Sequence, residues 1–180
     1  MRTPLVALVT FAALTACSSG DKPAPSTTQK PPASSKAAAA ASLDPCALLP
    51  ADAVSKAISV PDLKATPGPV QDNAANGGKA RSCEYQHDGK AAGALAVTRY
   101  EGRQAKPADM VASIKKAKAG AQDVPGFPDG AVYYVDEQKT ATLASAELVS
   151  GVPVLVNYTG PAKMTPEQLA PLVKQALAAS

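Results

Sequence analysis

Residues 131–158 read AVYYVDEQKTATLASAELVSGVPVLVNY and contain strand-like runs separated by turn signals. The runs 131–135, 140–149 and 152–158 are rich in valine, tyrosine and threonine, which favour strands. The polar segment 136–139 and the pair Ser150-Gly151 between them are short enough to be hairpin loops. Because hairpin loops join antiparallel neighbours, this stretch predicts an antiparallel sheet.

The chain before and after this stretch supplies two more strands and three helices. The strand-like runs are 82–87 and 94–100, on either side of a turn at Asp88-Gly89. Three helix starts place proline in the first turn with an acid one or two residues later, at 50–52, 107–109 and 165–167. We therefore predict an α+β domain with a single antiparallel sheet of about five strands and about three helices on one face, in the order α-β-β-α-β-β-β-α.

Two irregular stretches interrupt these elements. Residues 61–80 contain Pro67-Gly68-Pro69 and Asn76-Gly77-Gly78, and a loop of this length is either functional or disordered. The composition favours disorder. The second stretch, 124–130, includes Phe127, which we interpret as an aromatic plug over the core, with a ligand-stacking role as the alternative.

The amino terminus has the pattern of a cleaved export signal. Arg2 precedes an uncharged apolar run of about a dozen residues, which is too short to span a bilayer and has the length of a signal-peptide core. The run ends in Leu14-Thr15-Ala16-Cys17, which resembles a bacterial lipobox. We predict a lipoprotein signal peptide at 1–16 and acyl chains on Cys17. The alternative is an ordinary secretory signal cut near Ala16, which leaves a free thiol.

A linker follows the proposed lipid site. Residues 17–43 are dominated by serine, threonine, proline, lysine and alanine, with almost no large aliphatic side chain. Such a segment buries too little apolar surface to offset its ordering entropy, so we predict a disordered tether. The remaining residues, 44–180, are enough for one globular α+β domain.

The two remaining cysteines allow one pairing. Export places Cys46 and Cys83 in an oxidising compartment, where a disulfide between them is favoured. The alternatives are two buried free thiols or half of a metal site. A zinc site normally needs four ligands at short spacings, and His87 is the only histidine, so we predict no metal.

The sequence excludes several functions. The net charge of +3 is spread without a basic stripe, which argues against a nucleic-acid partner. No nucleophile elbow, phosphate-binding loop or dinucleotide fingerprint is present, so we predict neither catalytic residues nor a cofactor. His87 is interpreted as an exposed polar residue at a strand tip. Paired carboxylates such as Glu84 and Glu147 would suit a glycan hydrolase, although the sequence does not show that they meet.

Short motifs mark the domain: DPCALL at 44–49, CEY at 83–85, VPGFPDGAVY at 124–133, and a final amphipathic helix. Their order resembles a family of actinobacterial secreted lipoproteins that is grouped as a domain of unknown function. The resemblance implies a disulfide between Cys46 and Cys83 and a lipidated position in the cell envelope. It brings no established activity, and Phe127-Pro128 replaces the aliphatic-glycine pair that is usual in the family turn.

Two functional hypotheses follow. The first is a membrane-anchored extracytoplasmic lipoprotein, held by acyl chains on Cys17, that acts as a non-enzymatic binding or accessory module of the envelope. Its partner would be an envelope protein or a small apolar ligand, with Phe127, Tyr133 and Tyr134 as candidate binding residues. The second is a cell-wall-directed hydrolase that uses paired carboxylates. A pocket of several hundred Å³ would favour small-ligand binding, and a flat exposed apolar patch would favour a protein partner.

Overall fold

The computed structural model describes residues 43–73 and 75–180, and these form an eight-stranded sheet with four helices. Every strand pair is antiparallel, in the order β1-β3-β4-β8-β7-β6-β5, and β2 also pairs with β3. The α+β class and the antiparallel sheet predicted above are confirmed. The elements in chain order are α1 (Pro45–Leu48), α2 (Ala51–Ile58), β1 (Lys64–Pro67), β2 (Gln71–Asn73), β3 (Gly78–His87), β4 (Lys90–Tyr100), α3 (Pro107–Ala117), β5 (Gln122–Asp123), β6 (Ala131–Val135), β7 (Thr140–Val149), β8 (Val152–Pro161) and α4 (Pro166–Ala178).

The predicted order of elements is found as α2, β3, β4, α3, β6, β7, β8 and α4, but the predicted count was too low. The additional elements are α1, β1, β2 and β5. The expected disorder of 61–80 is corrected, because β1 and β2 lie in this segment and both pair with β3. All residues of these two strands are exposed, so they have no apolar alternation that a sequence pattern could reveal. Backbone pairing with the edge of β3 holds them.

The helices lie on both faces of the sheet, which corrects the prediction of one face. Side chains alternate along β7, so Leu143 points to one face and Ala144 and Ala146 point to the other. Leu143 belongs to a core cluster with residues of α4, and we name this side the α4 face. Ala144 and Ala146 pack with Val111 of α3, and we name this side the α3 face. The small side chains of Ala144 and Ala146 let α3 approach closely. Because helices cover both faces of β7, its six successive residues 141–146 are buried.

The helices begin where the proline signals predict. Helix α3 starts at Pro107 and α4 at Pro166, each with proline in the first turn, and α2 follows Pro50 directly. At α4, the Gln168 side chain accepts a hydrogen bond from the Thr165 backbone N–H at 3.0 Å. This hydrogen bond belongs to a capping box between Thr165 and Gln168, which fixes the start of α4 beside the loop that follows β8.

The core on the α4 face contains two stacked tyrosines and the disulfide. Tyr85 and Tyr158 are fully buried, with ring centroids 6.0 Å apart. Gly93 makes room for Tyr158, because a side chain at Gly93 would collide with Tyr158 Oη and would lie 2.9 Å from the Thr159 carbonyl oxygen. Beside Tyr85, Cys46 of α1 and Cys83 of β3 form a disulfide with a Cα–Cα distance of 5.1 Å. The bond therefore joins the first helix to the sheet.

Candidate functional site

The structure does not bring Phe127, Tyr133 and Tyr134 around one cleft. Phe127 is buried in the core on the α4 face, where Lys174 Nζ lies 5.0 Å from its ring centroid. Tyr133 also packs against this core, and its hydroxyl donates to the Met164 carbonyl oxygen at 2.9 Å. As neighbours on β6, Tyr133 and Tyr134 point to opposite faces. Burial of Phe127 fits the plug interpretation better than ligand stacking.

The carboxylates considered for a hydrolase lie on opposite faces of the sheet. The register aligns Cys83 with Leu95 on β4, Tyr158 on β8 and Leu143 on β7, all on the α4 face. Glu84 follows Cys83 and so lies on the α3 face, whereas Glu147 shares the α4 face with Leu143. Glu84 and Glu147 therefore cannot act together on one substrate as the acid and base of a hydrolase.

Two further findings concern the same described residues, 43–73 and 75–180. They contain no group of three histidine, cysteine, aspartate or glutamate side chains that could hold a metal ion. No helix within them is long and apolar enough to cross a membrane. Cys17 and the predicted signal peptide and tether lie outside this part of the chain.

A cleft of about 490 Å³ lies between the end of α2, the turn of the β3–β4 hairpin and the loop from β8 to α4. We name it the hairpin cleft. Its apolar lining comes from Ile58, Val60, Ala92 and Met164. Ala92 and Met164 are only 8% and 4% exposed, whereas Ile58 and Val60 are half-buried. The interior of the cleft is therefore apolar.

Local backbone geometry shapes the three walls. Helix α2 ends at Ile58, and the left-handed φ of 55° at Ser59 turns the chain so that Val60 lines the cleft. The hairpin turn has positive φ at Asp88 and Gly89, 48° and 72°, which suits the right-handed twist of a two-residue hairpin. On the third wall Met164 packs over Gly160, a position where a side chain would collide with the methionine sulfur.

Polar and charged side chains lie at the opening of the cleft. His87 Nε2 lies 3.3 Å from Asp88 Oδ2, while His87 Nδ1 is buried without a partner among the described residues. Lys90 and Lys163 are exposed and stand on different walls, one on the hairpin and the other after β8. The His87 side chain is 37% exposed and lines the cleft, so it is less exposed than the sequence suggested.

A second cleft of similar volume lies at the other end of β3 and β4, beside Leu43. We name it the ion-paired groove. Lys79 Nζ lies 2.6 Å from Glu101 Oε2, and Arg81 Nη1 lies 2.7 Å from Asp72 Oδ1. Hydrogen bonding to Lys79, and then its positive charge, hold the pKa of the Glu101 carboxyl below its usual value. Lys79 and Glu101 therefore compensate each other's charge within the groove.

Together these features define an antiparallel α+β domain with one disulfide and an apolar cleft that opens among charged side chains. The chain belongs to the family described as "Protein of unknown function (DUF3558)", which matches residues 12–160. The resemblance drawn from the ordered motifs is thereby confirmed. No curated protein sequence matches the chain.

The chain is similar to a solved structure, the extracellular domain of PknH from Mycobacterium tuberculosis. The TM-score is 0.46 at 14% sequence identity, over 73% of this chain and 92% of that chain.

Proposed function

We propose that the protein is a lipid-anchored extracytoplasmic module that binds a small apolar ligand in the hairpin cleft and does not transform it. The observation that carries the proposal is the volume of about 490 Å³ with an interior of Ala92, Met164, Ile58 and Val60. A concave, mostly apolar site with a few polar groups at its opening is typical of small-ligand binding sites.

The exposed apolar side chains support a small ligand over a protein partner. The large hydrophobic residues exposed in the described part of the chain are Val70, Val135 and Leu148. Val70 precedes β2, Val135 ends β6, and Leu148 lies near the far end of β7. Register places Val135 beside Ala141, at the opposite end of β7 from Leu148. Single scattered residues of this kind do not form the contiguous patch that marks a protein interface.

The extracytoplasmic and lipid-anchored part of the proposal rests on Cys17 and on the disulfide. A structural disulfide is typical of chains that fold outside the reducing cytoplasm. Two or more acyl chains on one cysteine hold a protein to a membrane far more firmly than one chain does. A flexible tether of residues 17–43 would have an r.m.s. span of roughly 30 Å.

The hairpin cleft and the ion-paired groove lie at opposite ends of β3. The chain enters it at Leu43, beside the ion-paired groove, and Lys79 in that groove is separated from His87 in the hairpin cleft along β3. At about 3.3 Å per residue this separation is roughly 26 Å. The hairpin cleft thus lies away from the tether junction.

We expect Cys17→Ala to move the protein from the membrane fraction to the soluble fraction. Without the cysteine sulfur there is no atom for the acyl chains, so incorporation of labelled fatty acid should also be lost. Ser18→Ala is the matched control and should remain acylated and membrane-bound. A Cys17→Ala protein that stays with the membrane would contradict the anchor.

For the cleft, we expect calorimetric titration of the purified Cys17→Ala protein with 1-decanol to give saturable binding at one site. Val60→Asp should weaken it at least about tenfold, because the new carboxylate must lose water when the chain of the alcohol fills the cleft. Val70→Asp is the matched control, since Val70 is 63% exposed and lies outside the cleft. Equal loss in both variants, or no binding to the parent protein, would refute the ligand site.

A further inference from the structure

We propose that the hairpin cleft selects an amphiphile with an anionic headgroup, a phosphate or carboxylate that is bound between Lys90 and Lys163. This inference rests on the proposed function and specifies the chemistry of its ligand. Lys90 and Lys163 line the cleft and are exposed, whereas Ala92 and Met164 in its lining are buried. Such an arrangement matches a molecule with a charged end and an apolar tail.

Neither Lys90 nor Lys163 forms an ion pair with another side chain of the described residues. The ion pairs of lysine and arginine found there join Lys79 to Glu101, Arg81 to Asp72 and Lys115 to Asp123. Asp88 is the carboxylate that lines the cleft, and its Oδ2 lies 3.3 Å from His87 Nε2. Because Lys90 and Lys163 line the same cleft, an anion bound there is attracted by both charges.

Other groups at the opening add hydrogen-bond donors. Gln168 lines the cleft, and its Oε1 already accepts the Thr165 backbone N–H. The amide NH₂ of Gln168 is left to donate. Gln168 stands in the first turn of α4, so the positive end of that helix dipole adjoins the same opening. A ligand headgroup that only accepts hydrogen bonds, as a phosphate or carboxylate does, fits these donors.

The test compares dodecyl phosphate below its micellar concentration with 1-dodecanol below its solubility limit, as ligands of the Cys17→Ala chain. We expect the phosphate to bind at least about tenfold more tightly, because charge-assisted hydrogen bonds to two lysines add to the same apolar contact. Lys90→Gln/Lys163→Gln should remove this preference and leave dodecanol binding within about twofold. The advantage of the phosphate should also shrink as salt is raised.

The control variant is Lys106→Gln/Lys116→Gln, which changes net charge equally at two exposed lysines outside the cleft. It should retain the preference for phosphate. If the parent chain binds both probes equally, the proposed preference for an anionic headgroup is wrong, but the proposed apolar binding site still holds. Failure of both probes to bind would refute the proposed function itself. Equal loss of preference in the two double variants would show a general charge effect and overturn the inference.

Two sources could supply such a headgroup, a membrane lipid or a free amphiphile. Vesicles of phosphatidylcholine containing phosphatidylglycerol, compared with phosphatidylcholine alone, distinguish them. Phosphatidylglycerol that co-elutes with the Cys17→Ala chain, and fails to do so with Lys90→Gln/Lys163→Gln, supports the inference with a membrane source. Binding of dodecyl phosphate without extraction of lipid supports it with a free source.

Discussion

Reduction of the Cys46–Cys83 disulfide should lower the free energy of unfolding by about 4 kcal/mol, close to the whole stability of many small domains. The bond closes a loop with a sequence separation of 37 residues, which contains α2, β1 and β2. Without the disulfide, the unfolded chain regains the conformational entropy that closing this loop removes. The folded state also loses the link between α1 and β3, so the outer strands β1 and β2 should loosen first. Urea denaturation of the Cys17→Ala chain with and without dithiothreitol measures the effect.

The control is Cys46→Ala/Cys83→Ala, which introduces no polar atom at the buried position of Cys83. Its denaturation midpoint should match that of the reduced parent, and dithiothreitol should not change it further. A reduced parent that unfolds at the same urea concentration as the oxidised protein would show that the packing of α1 alone holds this end of the domain.

The central hairpins could be predicted because their signals are local. The runs at β6 and β7 begin and end where the valine, tyrosine and threonine content and the turn residues indicate. The position of α3 could not be predicted, since Ala144 and Ala146 look like weak strand residues until a helix is known to cover them. Strands β1 and β2 were not predicted for a different reason. They form backbone hydrogen bonds with β3 but bury no side chain, so they have no apolar pattern.

The hairpin cleft was also beyond sequence reasoning. Its walls come from segments near Val60, Ala91 and Met164, which are distant in the chain and adjacent only after the sheet forms. Aromatic residues are common in binding sites, which is why the sequence suggested Phe127, Tyr133 and Tyr134. In the structure Phe127 and Tyr133 pack with the core on the α4 face, whereas Tyr134 lies on the other face of β6 near Lys118. Lys90 and Lys163 belong to no recognisable sequence motif. Their proposed role in binding follows only from their position in the lining of an apolar cleft.

The domain should lose stability steeply above about pH 10, because Tyr85 and Tyr158 cannot ionise while they are buried. Burial raises the pKa of both phenols, and the negative charge of Asp44 adds to the rise at Tyr85. Below the unfolded pKa of about 10 both states are protonated and the full stability is present. At higher pH only the unfolded chain releases these protons, so each tyrosine costs about 1.4 kcal/mol per pH unit until its folded pKa is reached. Urea denaturation between about pH 8 and pH 11 measures the slope.

Phenylalanine variants separate the two tyrosines, since their hydroxyl groups differ in partners. Tyr85 Oη donates to the Leu49 carbonyl oxygen at 2.5 Å, so Tyr85→Phe should cost about 1–3 kcal/mol at neutral pH. Tyr158 Oη has no hydrogen-bond partner within residues 43–73 and 75–180, so Tyr158→Phe should be neutral or stabilising there. Both variants should show a shallower alkaline slope than the parent, by about 1.4 kcal/mol per pH unit. An unchanged slope in Tyr158→Phe would mean that this phenol ionises in the folded state and is reached by water.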